Sequence, residues 1–208
     1  MKTEQGQRPD QCSITFVTEK RDFKRFIDFP YKHYVSDEHW IAPLKIQQKE
    51  ILDVNKHPFY KNAEIALFIA EFNGQTAGRI AAINNRVYNE FHGENAGFFG
   101  FFESIDNQQV ANLLFKVAED WLKDRGLKTI YGPVSPNMMG EMGALVEGFE
   151  HDPSMMMPYN KPYYDQLISN AGYSKHVDLL AFRIDDKKID LERINKADEI
   201  VKRRLPDL

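Results

Sequence analysis

GFFGFFESIDNQQVANLLFKVAEDWLKDRGLKTIYGP, residues 97–133, reads as a strand, a long amphipathic helix and a second strand. Val110, Leu113, Leu114, Val117, Trp121 and Leu122 recur at three- and four-residue steps, one apolar stripe at helical period. Asp106 stands where an N-cap belongs, and Gln109 follows three residues later, the spacing of a capping box. Lys123, Asp124 and Arg125 precede Gly126, so basic residues lie near the negative helix pole and a glycine lies past it. In the first strand Phe98, Gly100 and Phe102 are expected on one face and Phe99, Phe101 and Glu103 on the other. Phenylalanine on both faces predicts a central strand under helices, in a βαβ unit with a right-handed crossover. Such a junction aims free backbone N–H groups and a positive dipole end at one spot, which suits an anion.

Composition sets the outer limits. The 208 residues suffice for one generous domain, or one domain plus an arm, and 42% of them are hydrophobic. A net charge of −4 without a long basic run argues against nucleic acid or an anionic membrane as main partner. No apolar run approaches the ~20 residues of a membrane span, and MKTEQGQRPDQ lacks the apolar centre of a secretory signal. The default compartment is therefore the cytoplasm. Cys12 is the single cysteine, which rules out an internal disulfide and a multi-thiolate metal site. His33, His39 and His57 have no ligand spacing, so no metal is expected. No P-loop, dinucleotide fingerprint or Ser-His-Asp order is visible.

Outward from the opening stretch, residues 1–12 read as a flexible arm, 13–185 as one domain and 186–208 as a C-terminal helix. Ser13–Val17 is a short strand. Glu19–Val35 is mostly helical, and Pro30 should kink or end it. HWIAPL (39–44) is an apolar link, with Trp40 as core or pocket wall, and Ile46–Val54 a short helix. Ala63–Phe72 and Thr76–Tyr88 form a hairpin about Asn73-Gly74, a dipeptide that accepts positive φ at both turn positions. Gly78 marks a bulge or a close backbone approach. Arg79 is either a face arginine or a substrate contact, and Glu90–Asn95 a polar loop.

Six of the seven methionines fall in the irregular stretch 134–160, which is either a pocket lid or a packed connection. A helix over 162–171 with Pro162 in its first turn, a strand over 176–184 and a helix capped by Asp190 complete the chain.

This order resembles the GNAT superfamily of acyl-CoA N-acyltransferases over about residues 13–184. The likeness rests on EIALFIAEFNGQTAGRIAAI, on the opening stretch, and on NKPYYDQLISNAGYSKHVDLLAF. GRIAAINNR, GFFGFFE and MMPYNKPYY also resemble the N-terminal half of longer bacterial GNAT-like proteins that carry a second such domain. The resemblance implies an α/β fold. Its central sheet is mixed and mostly antiparallel, with a parallel splayed strand pair and helices on both faces.

Acetyl-CoA or another acyl-CoA would lie between Gly97–Glu103 and Lys128–Gly132, its pyrophosphate on the amides of Asn107 to Val110. Phe102, Glu103, Ser104, Asn107, Gln108, Gln109, Val110 and Asn160 become the implied cofactor-binding residues. A strand amide would polarise the thioester, a base would deprotonate an amine of pKa ~10.4, and a tyrosine would protonate the thiolate. Glu103, Glu141 and Tyr164 are the candidate catalytic residues: Glu103 is a general base or a buried structural acid, Glu141 an amine ligand or a solvated loop acid, and Tyr164 a proton donor or a packed, hydrogen-bonded phenol.

The family's loop before the long helix has the form R-G-x-G-x-G/A. Here it is Ser104-Ile105-Asp106-Asn107-Gln108-Gln109, and Ile168 stands where the tyrosine is usual. Two functions follow from the comparison. One is acyl transfer to a small-molecule or peptide amine. The other is a degenerate domain that binds or scaffolds, paired with a second GNAT-like domain or in a homodimer. The helix 186–208 would then link to that second domain. Either the natural chain continues past Leu208, or the edge near 176–184 pairs with another chain.

Overall fold

The computed structural model describes residues 11–136, 140–182 and 191–204. It divides into two units, residues 1–174 and 175–208.

The first unit is built on a five-stranded sheet in the order β1 to β5. These strands are β1 (Cys12–Phe16), β2 (Ala63–Phe72), β3 (Gln75–Asn85), β4 (Ala96–Ser104) and β5 (Thr129–Tyr131). The first four pair antiparallel and β4–β5 pairs parallel. This is the mixed, mostly antiparallel sheet expected.

Helix α1 (Lys20–His33) follows β1, and α2 (Lys45–Ile51) with a 3-10 turn over Pro58–Lys61 leads into the hairpin. Asn73 (φ 51°) and Gly74 (φ 78°) make its turn. The second hairpin strand stops at Asn85, short of the expected Tyr88. Asn85 accepts the Tyr88 N–H and starts α3 (Arg86–His92), so the first half of the expected polar loop is helical. Gly78 faces β4 and α4 (Gln108–Lys123) closely: a Cβ there would lie 2.7 Å from the Glu103 carbonyl and 2.8 Å from Leu114.

The core on one sheet face gathers Ile80, Phe99, Phe102, Val110, Leu114, Phe115 and Leu122, with Tyr164 and Leu167 from α5 (Tyr164–Asn170). Burying each large apolar side chain contributes about 1.5–3 kcal/mol. Against the other face pack Phe26 and Ile27 of α1, with Ile69, Ala81 and Phe101.

Phe99 and Phe102 thus share a face, against the simple alternation. The reason is a bulge: the β3–β4 register jumps between Arg79↔Glu103 and Ala81↔Gly100, and Phe101 takes φ 50°. The extra residue turns Phe102 toward α4 and returns Phe101 and Glu103 to the α1 side.

Pro30 does not end α1, which runs three residues further to His33. Proline cannot donate to the carbonyl four residues back. That carbonyl, on Phe26, accepts Nη1 of Arg79 at 2.9 Å instead.

Three further expectations change. The helix over 162–171 begins at Tyr164, so Pro162 lies before it. Residues 176–182 form no strand, and 183–184 lie outside the described residues, as do most of the N-terminal arm and Asp190. In the second unit, α6 (Leu191–Arg204) is an exposed helix.

Candidate functional site

Strands β4 and β5 share three residue pairs, Ala96↔Thr129, Gly97↔Ile130 and Phe98↔Tyr131, and the parallel ladder ends there. One further backbone link, from Val134 N–H to the Phe99 carbonyl at 2.9 Å, holds the chain beside Gly100. A Cβ on Gly100 would lie 2.1 Å from the Val134 carbonyl oxygen, so only glycine fits. Beyond that point the β4 edge from Phe101 to Ser104 is free of β5. The expected parting of the two parallel strands is present.

Both backbone groups of Ser104 on this edge are held by the tyrosines at the start of α5, Tyr163 just before it and Tyr164 as its first residue. The Ser104 N–H donates to Tyr164 Oη at 2.9 Å, and Tyr163 Oη donates to the Ser104 carbonyl at 2.9 Å. Tyr164 Oη also donates to Glu103 Oε2 at 2.7 Å, as does Tyr34 Oη from the end of α1. The Arg79 guanidinium lies 3.7 Å from Glu103 Oε1, an ion pair but too long for a hydrogen bond. Arg79 is 5% exposed, sits over the rings of Phe26 and Phe101, and its Nε has no partner among the described residues.

Burial raises the Glu103 carboxyl above its usual value, against the lowering effect of Arg79 and the two hydroxyls. Burial and then the Glu103 charge push the Tyr34 and Tyr164 phenols up. His33, in the last turn of α1, has Nε2 at 3.2 Å from both Tyr163 Oη and Tyr164 Oη. Burial, followed by Lys161 and Arg79, lowers His33 to about 4.

The start of α4 is capped by Asn107, not Asp106. Asn107 Oδ1 accepts the N–H groups of Gln109 (2.9 Å) and Val110 (3.2 Å). Asn has the reach for these donors from the residue just before the helix, whereas Asp106 lies one position too early. Two amides aimed at an anion are thus occupied by this chain's own side chain. The Gln108 side chain ties α4 to α5 through the Leu167 carbonyl (3.1 Å) and Asn170 (3.1 Å).

Asn160 is buried, with its amide on the backbone of Leu145 and Lys161. Glu141 is exposed, yet enough protein surrounds it that lost hydration, and then the Glu103 charge, raise its carboxyl. Met138 and Met139 of the methionine-rich stretch lie outside the described residues. Met142 bridges to Val134 and packs there, whereas Met155 is 92% exposed.

Glu103, Ser104, Tyr164 and Phe102, each singled out from sequence, therefore come together; Asn107, Gln109 and Val110 gather at the helix start. Sequence reasoning missed His33 and Tyr34 and left Arg79 open. A signal for Arg79 was present, since Pro30 leaves the Phe26 carbonyl without its helical donor. Trp40 stacks on Tyr34 with centroids 5.0 Å apart, a wall over the cluster as expected. Asp37, just after α1, accepts from Lys161 Nζ and Tyr159 Oη, each at 2.7 Å, and so ties the α1 end to the chain before α5. Among the described residues no group of three His, Cys, Asp or Glu could hold a metal ion, and no helix is long and apolar enough to cross a membrane.

No family model matches the chain. Protein YghO of Escherichia coli (strain K12) is 42% identical over 168 residues, 81% of this chain and 43% of that protein. The bacterial ceramide synthase of Caulobacter vibrioides is 35% identical over 195 residues, 93% of this chain and 50% of that protein. The chain spans about half the length of these relatives. Among solved structures, a tandem GNAT protein from the clavulanic acid biosynthesis pathway superposes with a TM-score of 0.51 at 9% identity, over 78% of this chain and 43% of that one. With its parted parallel strands, its crossover helix and this likeness in shape, the chain has the fold of the GNAT acyltransferase superfamily.

Proposed function

We propose that this domain transfers an acyl group from acyl-CoA to an amine. The observation that carries the reading is the β4 edge left without a β5 partner beyond Gly100, beside a buried carboxylate, in a GNAT fold. The pantetheine arm lies in the parting between β4 and β5, along Phe102 to Ser104, with the pyrophosphate near Asn107 to Val110. The incoming ammonium gives up one proton, its nitrogen attacks the thioester carbonyl carbon, the C–N bond forms, the C–S bond breaks, and the second nitrogen proton goes to the departing thiolate. Glu103 is the terminal proton acceptor. Its Oε2 is covered by two phenols, so the amine's proton reaches it through Tyr164: the phenol's own proton moves to Glu103, and the phenolate oxygen then takes the amine's. A carboxyl raised by burial suits that task near neutral pH. Glu141, exposed and close enough to sense Glu103, is the group to hold the incoming ammonium. Asn160 acts by fixing the chain before α5.

The relative named bacterial ceramide synthase supports a lipid acceptor. A ceramide is the amide of a long-chain amino alcohol, so such an amine is the acceptor to try first, in the cytoplasm. A second reading, a domain that binds or scaffolds without transfer, is favoured by the Asn107 cap and the tyrosines on Ser104, which already hold the groups a cofactor would use.

Calorimetric titration with acetyl-CoA and a long-chain acyl-CoA separates the two. The transferase reading expects Kd on the order of micromolar, about −8 kcal/mol, weakened by Gln109→Glu at the helix start. Thiol release with a long-chain amino alcohol should follow. Absence of binding at about millimolar ligand, a limit near −4 kcal/mol, leaves the scaffolding reading.

A further inference from the structure

Three phenols and one imidazole meet at Glu103 and Ser104, and their hydrogens can be counted. Tyr34 Oη and Tyr164 Oη both lie 2.7 Å from Glu103 Oε2. With Glu103 ionised, the state that its Arg79 ion pair and two phenolic donors favour, the carboxylate only accepts, so both phenolic hydrogens go to it. Tyr163 Oη lies 2.9 Å from the Ser104 carbonyl, which also only accepts, so its hydrogen is spent there. No phenolic hydrogen remains for His33. Yet His33 Nε2 stands 3.2 Å from two of these oxygens. Those contacts are hydrogen bonds only if the ring nitrogen supplies the hydrogen.

We propose that His33 is a positioning residue, a neutral imidazole with its hydrogen on Nε2, which donates to Tyr164 Oη beside the Ser104 amide and thereby keeps the phenolic hydrogen on the Glu103 side.

The ring is placed for this. It stacks on Phe29 (5.2 Å, 17°) and meets Tyr34 edge-on (4.9 Å, 80°), so its plane is fixed by the last turns of α1. A charged imidazolium would be the third cation in a largely buried space that already feels Arg79 and Lys161, with Asp37 opposing them. Tyr164 Oη then receives two N–H donors and gives one hydrogen, a fully defined orientation. Where that hydrogen passes to Glu103, the two donors stabilise the negative charge left on the phenol oxygen. This last clause rests on the acyltransferase reading; the hydrogen count does not.

The test is long-range nitrogen–proton NMR on protein labelled in its six histidines, with His33 assigned from His33→Gln. At about pH 7, where an unperturbed histidine of pKa ~6.5 would be partly charged, His33 should show a protonated Nε2 and a bare Nδ1. The opposite tautomer, which a protonated Glu103 would produce by freeing a phenolic hydrogen, overturns the proposal, as does an imidazolium. Tyr164→Phe should shift the His33 Nε2 signal by removing one oxygen partner, and an unmoved signal overturns it. If that variant fails to fold, the tautomer of His33 in the unsubstituted protein decides the proposal by itself. In the transfer assay His33→Leu should lower kcat about tenfold at little changed KM, the worth of one buried hydrogen bond, while His33→Gln, which still donates, should recover most of it. Equal loss in both variants overturns the positioning role. A wild-type chain that transfers nothing refutes the reaction, and the tautomer is still decided by the spectrum.

Discussion

Replacing Arg79 by methionine should destabilise the domain by an amount that grows with pH. Arg79 is the nearest cation to Glu103, at 3.7 Å, and both side chains are largely buried, 6% and 13% exposed. Removing one member of a buried pair strands the other's charge, at a cost of about 3–5 kcal/mol where Glu103 is ionised, above its folded value. The sign follows from the proton balance. Burial raises the native Glu103 carboxyl, so the folded protein holds this proton more tightly than the unfolded chain. Its contribution is complete below the unfolded carboxylate value and is lost as pH rises through the folded value. Arg79 is the first cause opposing that rise, so the variant's folded value moves higher still. Below the folded Glu103 value the neutral carboxyl needs no cation, and the deficit should shrink to about 1–2 kcal/mol, from the lost bond to the Phe26 carbonyl. One proton limits the slope to about 1.4 kcal/mol per pH unit. Urea unfolding of both proteins across this range measures the difference. A deficit that is flat with pH, or that falls as pH rises, would refute the assignment of Glu103 as the buried partner of Arg79.

Further outcomes follow from other contacts. Gly100→Ala puts a methyl 2.1 Å from the Val134 carbonyl and should cost about 2–4 kcal/mol by overpacking and by loosening the Val134–Phe99 bond; Gly74→Ala, in open space at φ 78°, should cost about 1 kcal/mol in the same denaturation assay. Asn107→Ala removes the α4 cap and should cost about 1 kcal/mol, while calorimetry should show tighter acyl-CoA binding as the Gln109 and Val110 amides are released. Burial alone would raise Asp37, but Lys161 and Tyr159 hold it below the usual range. Asp37→Asn should therefore cost about 1–3 kcal/mol at neutral pH, a deficit that disappears as pH falls through the native Asp37 value, read by thermal unfolding in acid. Tyr34→Phe removes one donor to Glu103 and should cost about 1–3 kcal/mol by urea unfolding, whereas a neutral effect would mean that the hydroxyl is not bonded there.

Periodicity made the long helix, the hairpin and the central strand legible, because each buries an apolar stripe at its own repeat. What it could not carry was the bulge at Phe101. One extra residue reverses the faces of everything after it, and no turn residue announces it, since a phenylalanine occupies the left-handed position. The Asn107 cap differed from Asp106 by one residue, a distinction that two competent capping side chains in succession do not reveal. Glu103 and Tyr164 stood out as ionisable groups beside apolar runs. Tyr34 and His33 did not, because they belong to the site only through contacts spanning 69 to 131 positions of chain, with Glu103 and Tyr164. Arg79 was ambiguous for the opposite reason: a lone charge in GRIAAI looks solvated until the proline that vacates the Phe26 carbonyl is counted with it.

The tyrosines on Ser104 bear on how any guest would enter. An unsatisfied strand edge rewards the first molecule that arrives; here every polar group that a newcomer would use at that residue must first be given up by α5. Occupancy becomes an exchange, nearly balanced locally, so the grip on a long molecule has to come from its distant ends, and the seam itself decides when α5 lets go rather than how tightly the visitor stays.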